Sequence, residues 1–239
     1  MTTVATATDT AAREPERAGA IATRLRAILD SRGVDLDAAT AEEPAAEPVT
    51  ALELADARIP ARYRCALADH PEVTAWVEEI TRAGRRGPGG APGIAEGPSL
   101  LIAGPTGTGK THQAYGAVRS LLAAGVRLRW EATTAADLYA GLRPRQGHDP
   151  ERTLWSLGRC PLLILDDLGA AKTSEWTEEL TYRLINRRYN EMLPTLVTTN
   201  LPITELRDAV GDRVASRLAQ MTTRVILNGT DRRRQPTAC

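Results

Sequence analysis

The chain has 239 residues, with 30 basic and 30 acidic side chains balancing to a formal net charge of zero. That length holds one large α/β domain plus a smaller segment, and the zero balance excludes a global field drawing the molecule onto nucleic acid or an anionic membrane. No stretch approaches the roughly 18 apolar residues of a membrane span, and no basic-then-apolar leader opens the sequence, which excludes a membrane role and sets a cytoplasmic expectation.

The charge is unevenly spread. Residues 1–56 carry 11 acidic and 5 basic side chains, a net −6 that leaves +6 for the remainder. Nearly all the positive charge is arginine, with Lys110 and Lys172 the only lysines. Phe is absent, so the core must be built mainly from Leu, Ile, Val and Ala. Cys65, Cys160 and Cys239 are far apart and form no CxxC pair, a pattern that speaks against a zinc site or a disulfide framework and for a reducing compartment.

In chain order, residues 1–12 are Ala/Thr-rich, and Ile21, Leu25 and Ile28 recur at helical spacing between Glu14 and Arg32, predicting a short amphipathic helix ended by Gly33. Residues 38–50 read as an Ala/Glu/Pro linker. The segments expected are therefore an N-terminal arm over 1–56, a lead-in over 57–98 and a core over 99–239. The lead-in resumes structure at Ala57–Tyr63, carries a helix over Pro71–Ala83 with Val73, Trp76, Val77 and Ile80 on one face, and ends in an exposed Gly/Pro-rich loop over Gly84–Pro98. From Ser99 onward, short apolar runs alternate with helical segments. Strands are predicted at Leu100–Ala103, Val126–Trp130, Leu162–Leu165, Thr195–Thr198 and Val225–Leu227; helices at Lys110–Ala124, Ala135–Leu142, Glu175–Asn190 and Ile203–Leu218. Such alternation implies crossover connections and a parallel sheet covered on both faces, a three-layer α/β sandwich. The sequence runs only about a dozen residues past the last strand, leaving no expectation of a C-terminal lid or DNA-binding domain.

The strongest chemical signal is Gly104-Pro105-Thr106-Gly107-Thr108-Gly109-Lys110-Thr111, which satisfies GxxxxGK(S/T) between a predicted strand and a predicted helix. Glycines let successive N–H groups turn into one concavity, and the helix N-terminus adds a favourable potential for phosphate. Lys110 is the candidate for the β- and γ-phosphates of ATP and the Thr111 hydroxyl for Mg2+. The apolar strand ending in Asp166 and Asp167 is the second signal: Asp166 as a metal carboxylate, Asp167 as the group that orients or deprotonates an attacking water. Asn200, at the end of Leu196-Val-Thr-Thr, is placed to sense the γ-phosphate. Arg213 and Arg217 share a helical face at i,i+4; they are candidates for a guanidinium supplied to a neighbouring subunit's nucleotide, against the alternative of a solvated basic stripe.

Together these stretches resemble the DnaC/IstB-like branch of the AAA+ ATPases. The resemblance runs from about Ala57 to Arg233 and includes Ala57-Arg-Ile-Pro-Ala-Arg-Tyr63, the phosphate loop with His112 following, Leu165-Asp-Asp-Leu-Gly-Ala170, Leu184-Ile-Asn-Arg-Arg-Tyr189, Thr198-Thr-Asn-Leu201, Gly211-Asp-Arg-Val-Ala-Ser-Arg-Leu218 and Val225-Ile-Leu-Asn-Gly229. It implies a P-loop NTPase core without a lid, Asn200 as sensor, Arg217 as arginine finger with Arg213 in reserve, and ATP-dependent homo-oligomers. It also implies a replicative DNA helicase or a transposase as protein partner, with single-stranded or duplex DNA as the nucleic acid. The expected activity is slow ATP hydrolysis by a DnaC-type helicase loader, with a transposition helper or a nucleotide-gated scaffold of little hydrolysis as alternatives. The sequence departs from the resemblance in two places. Asp167 stands where many AAA+ proteins have Glu, and residues 1–56 lack the zinc-ligating cysteines of some loaders. Arginine groups at 82, 85 and 86, at 143 and 145, at 187 and 188 and at 232–234 are the candidates for contact with DNA.

Overall fold

The computed structural model describes residues 57–229 except 87–91, 95, 145–146, 148 and 172–173, together with Thr23. The chain divides into two compact units, 1–49 and 50–239, and all described residues other than Thr23 belong to the second. The amphipathic helix expected over 14–32 lies outside the described residues apart from Thr23, which is helical.

Five strands form one parallel sheet: β1 (Ser99–Ala103), β2 (Trp130–Thr134), β3 (Leu162–Asp166), β4 (Thr195–Thr199) and β5 (Thr222–Ile226). Their spatial order is β2-β3-β4-β1-β5, so β4 is inserted between the strand that precedes the glycine-rich loop and the strand that ends in Asp166. The helices are α1 (Pro71–Ala83), α2 (Lys110–Ala123), α3 (Ala135–Leu142), α4 (Pro150–Arg159), α5 (Glu175–Asn190), α6 (Ile203–Val210) and α7 (Asp212–Met221).

The two-residue alternation of strands explains how one sheet serves two cores. Leu100 and Ile102 of β1, Leu162 and Ile164 of β3 and Leu196 of β4 join α1 and α2 in one cluster. Their neighbours Leu101, Leu163, Leu165 and Val197 point the other way into a cluster with α3 to α7. Both faces are therefore apolar, as the short continuous runs in the sequence require. The lead-in is fastened to the first face. Tyr63 stacks on Tyr115 of α2 at 5.1 Å, and Arg58 lies over the Trp130 ring while donating to its carbonyl at 2.8 Å.

Four expectations are corrected. The second strand is Trp130–Thr134, not Val126–Trp130. Val126 is buried where the chain leaves α2, whereas β2 is an edge strand paired only with β3, and its mostly half-exposed, polar residues do not read as a core strand. The helix expected over Ile203–Leu218 breaks into α6 and α7 at Gly211, whose φ of 84° suits glycine and whose absent side chain leaves room for Glu178 of α5. Helix α4 falls where no element was expected; Asp149 caps it, accepting from the Glu151 and Arg152 N–H groups at 3.0 and 3.2 Å, with Pro150 at its first turn. The Gly84–Pro98 segment is not a wholly exposed loop. Arg85–Arg86 pairs antiparallel with Pro92–Gly93, and the return is pinned by Trp76 Nε1 donating to the Pro98 carbonyl at 2.8 Å and Gly97 N–H to the Met192 carbonyl at 2.9 Å.

Cys160 is free and buried. Among the described residues no helix is long and apolar enough to cross a membrane.

Candidate functional site

Parallel strands end at one edge, and their order decides which ends meet. With β4 flanked by β1 and β3, the glycine-rich loop, Asp166 and Asn200 all emerge at the same edge of adjacent strands.

The loop itself is built by glycine. Gly104 has φ 157°, and a Cβ there would stand 2.4 Å from the Leu227 carbonyl oxygen. The turn therefore depends both on a conformation that side chains resist and on a close backbone approach. Gly107 and Gly109 also have positive φ, so Pro105, Thr106 and Thr108 are carried around a tight turn into α2. Helix α2 begins at Lys110 with no side-chain cap, which leaves its N-terminal potential for a ligand anion. Lys110 is buried, and its Nζ donates to the carbonyls of Gly104 at 2.9 Å and Pro105 at 2.8 Å. The ammonium is thus held inside the loop, in reach of the groups that wrap it.

Thr111, one residue on, donates to both carboxylate oxygens of Asp166, at 3.0 and 3.1 Å. Sequence places these residues 55 positions apart; the fold makes them neighbours. Thr198 donates to Asp166 Oδ1 at 2.5 Å and accepts from the Asp167 N–H at 3.0 Å. Burial pushes the Asp166 carboxyl above its ordinary range, against the opposing pull of the Thr198 hydroxyl, and the neighbouring Asp167 charge adds to the rise. A buried carboxylate strained in this way and facing a threonine hydroxyl suits a hard divalent cation. Mg2+ takes oxygen donors, usually one or two protein groups with phosphate and water completing its shell. The Thr111 hydroxyl and the Asp166 carboxylate are oxygen donors of that kind, side by side at 3.0 and 3.1 Å.

Asp167 and Asn200 also meet: Asn200 Nδ2 donates to Asp167 Oδ1 at 2.9 Å. Asp167 has φ 54°, a left-handed conformation that costs a non-glycine residue on the order of 1 kcal/mol. It is held there by the Thr198 hydroxyl on its N–H and by the following Leu168 N–H donating to the Thr198 carbonyl at 2.8 Å. Thr198 was not singled out from the sequence. Its signal was available, in the hydroxyl-rich Thr198-Thr199 that precedes Asn200 at the end of a predicted buried strand.

Arg213 and Arg217 stand apart from this network. Both are on α7 and face α5. Arg213 lies 3.5 Å over the Tyr182 ring with Glu179 at 3.7 Å, and Arg217 lies 4.3 Å over the Tyr189 ring. The Arg213 side chain is 61% exposed, whereas Arg217 is half-buried. Of the arginines considered for DNA, Arg188 is corrected: it is fully buried, donating to the carbonyls of Leu157, Cys160 and Pro194 and to the Thr195 hydroxyl. Burial pushes its pKa down to about 10. Its role is to tie the end of α4 to the starts of β3 and β4. Arg145 and Arg232–Arg234 lie outside the described residues.

A glycine-turned loop opening a helix, beside a strand-tip carboxylate that shares oxygens with the loop's threonine, defines a P-loop nucleotide-binding protein on a parallel sheet. More particularly, the chain belongs to the IstB-like ATP binding protein family, whose model matches residues 94–232, over half its length. Among curated proteins it is 28% identical over 123 residues to the replicative helicase loader DnaC of Escherichia coli K12, spanning 50% of this chain and 49% of that protein. It is 29% identical over 116 residues to the insertion sequence IS21 putative ATP-binding protein of Pseudomonas aeruginosa (48% and 43%), and 32% over 117 residues to that of IS5376 from Geobacillus stearothermophilus (48% and 45%). The chain thus spans about half the length of the curated relatives it matches. Its fold superposes on the crystal structure of the DnaC helicase loader with a TM-score of 0.58 at 24% identity, covering 71% of this chain and all of that one. With Aquifex aeolicus DnaA bound to AMPPCP the TM-score is 0.51 at 21% identity, over 68% and 46%. These structures share the AAA+ fold.

Proposed function

We infer that this chain is an ATP-hydrolysing AAA+ assembly factor of DNA metabolism, acting as a DnaC-type loader of a replicative helicase. The observation that carries the nucleotide chemistry is the convergence of Thr111 and Asp166 at 3.0 and 3.1 Å beside the phosphate loop. Thr111 and Asp166 would hold Mg2+, which when bound supplies neutralising charge to the β- and γ-phosphates. Backbone N–H groups of the loop and the ammonium of Lys110 grip the triphosphate. Asp167, polarised by Asn200, orients the attacking water and accepts its proton. Because Asp167 is one methylene shorter than Glu, its reach to that water is shorter and turnover is slow. A neighbouring subunit supplies the guanidinium that stabilises charge in phosphoryl transfer, Arg217 by resemblance and Arg213 in reserve. Hydrolysis is therefore tied to homo-oligomer formation.

The activity belongs in the cytoplasm, on single-stranded DNA. The relatives from insertion sequences support a second reading, a transposition helper that assembles on duplex DNA and recruits a transposase. Co-precipitation of the full chain with a replicative helicase or with a transposase, in Mg2+ and ATP and again in Mg2+ and ADP, separates them. ATP-dependent retention of the helicase alone is expected. Retention of the transposase alone replaces the first reading with the second, and retention of neither rejects both.

A further inference from the structure

Strands β3 and β4 are in register at Leu163 and Thr195, Ile164 and Leu196, and Leu165 and Val197, and the register ends there. The next residue of β4 continues the join with its side chain. Where a ladder would offer a carbonyl, the Thr198 hydroxyl accepts from the Asp167 N–H at 3.0 Å, and the Thr198 carbonyl then takes the Leu168 N–H at 2.8 Å. Thr199 adds a further link, its hydroxyl donating to the Leu168 carbonyl at 2.7 Å. The turn that leaves β3 is therefore clasped by two consecutive threonines of β4.

The polarity of this clasp is fixed by counting. A hydroxyl has one proton and two lone pairs. At Thr198 the proton goes to Asp166 Oδ1 at 2.5 Å, so only lone pairs are left for the Asp167 N–H. A valine of the same shape could do neither, and a carbonyl could accept but not donate to the carboxylate. The side chain is also wholly buried and stiff at χ1, so the strand sets where its oxygen lies. Asp167 depends on that oxygen. Its φ of 54° is one that a side chain resists, and the same turn brings its carboxylate to Asn200 Nδ2 at 2.9 Å. Without an acceptor for its N–H, the turn has less to hold it in that conformation, and the carboxylate loses its direction.

We propose that Thr198 is a positioning residue for water activation: its hydroxyl sets the direction of the Asp167 carboxylate relative to Asp166. The orientation is then a property of the strand, present before nucleotide arrives. This rests on the reading of Asp167 as the group that orients the attacking water, and it names what holds that group in place. Thr181 provides the contrast. It is a buried threonine whose hydroxyl donates to the Thr177 carbonyl and meets the Tyr139 hydroxyl, both at 2.7 Å, away from the phosphate loop.

The test is single-turnover ATP hydrolysis by the full chain in Mg2+, with ATP affinity measured alongside by calorimetry. Thr198→Val should slow the chemical step roughly tenfold, the worth of one well-placed hydrogen bond, and leave ATP affinity within about twofold of the parent. Thr198→Ala should behave as Thr198→Val, and Thr198→Ser, which keeps the hydroxyl, should restore most of the rate. In an Asp167→Asn background, Thr198→Val should change the rate by less than about twofold, because a residue acting through Asp167 has nothing left to direct. Thr181→Val should lower the melting temperature without slowing hydrolysis. A further readout needs no turnover: in nucleotide-free protein, the Asp167 amide proton should exchange about tenfold faster in Thr198→Val than in the parent or Thr198→Ser. Equal rates in the parent and both hydroxyl-free variants, a Thr198→Val effect undiminished by Asp167→Asn, or an unchanged Asp167 amide would each overturn the proposal and leave the ATPase reading standing. A parent that binds ATP but does not hydrolyse it would reject the ATPase reading, and the proposal with it.

Discussion

The strand-end edge and the α4–α5–α7 flank use polar side chains in opposite ways. At the edge, groups that are to act on phosphate are already held by one another: Lys110 by loop carbonyls, Asp166 by two hydroxyls, Asp167 by an amide. On the flank, Arg159, Arg213 and Arg217 lie on aromatic rings at or near the surface. The first arrangement holds its groups against one another within the chain. The second leaves guanidinium groups on rings, beside solvent. A guanidinium over a ring keeps its charge and most of its donors available, and gives up little when a phosphate replaces water.

The largest effect expected from this contrast is on the flank. In assembled protein, alanine at whichever of Arg217 or Arg213 serves the neighbouring subunit should lower ATP turnover roughly a thousandfold, with nucleotide affinity unchanged. Steady-state phosphate release measured for both variants decides it, and full activity in both would remove the flank from catalysis. Arg188 sharpens the contrast from the other side, being an arginine of the same region that is wholly structural. Arg188→Ala removes a donor from the Leu157, Cys160 and Pro194 carbonyls and should cost about 3 kcal/mol, seen as a lower urea midpoint without any change specific to DNA. Asp167→Asn should slow single-turnover hydrolysis about a hundredfold while ATP still binds. Gly211→Ala, forced into φ 84° against Glu178, should lower stability by roughly 1–2 kcal/mol; an unchanged melting temperature would show that the α6–α7 break is not glycine-dependent.

Much of the edge was legible because its chemistry demands particular residues at short spacing. Gly104–Thr111 and Asp166–Asp167 are contiguous signals, and helices α3 and α5 match their expected bounds because Thr134 and Ser174 cap them with local hydroxyls. Other features depend on what arrives from elsewhere. Strand β2 is polar because it is an edge, a fact of topology. Thr198 matters because Asp166 lies beside it across the sheet, and the burial of Arg188 follows from three segments meeting around it. A basic pair in sequence, Arg187-Arg188, thus splits into a half-buried residue and a core residue, which local charge patterning cannot show.

In the proposed chemistry the amides ahead of Lys110, its ammonium and the oxygens of Thr111 and Asp166 grip one nucleotide. Calorimetric titration of ATP in Mg2+ into the parent and into Lys110→Ala tests it most directly. Loss of a buried, charge-assisted contact to phosphate should weaken binding about a hundredfold, measured at a temperature where both proteins are folded. Equal affinity in the two proteins would contradict the account.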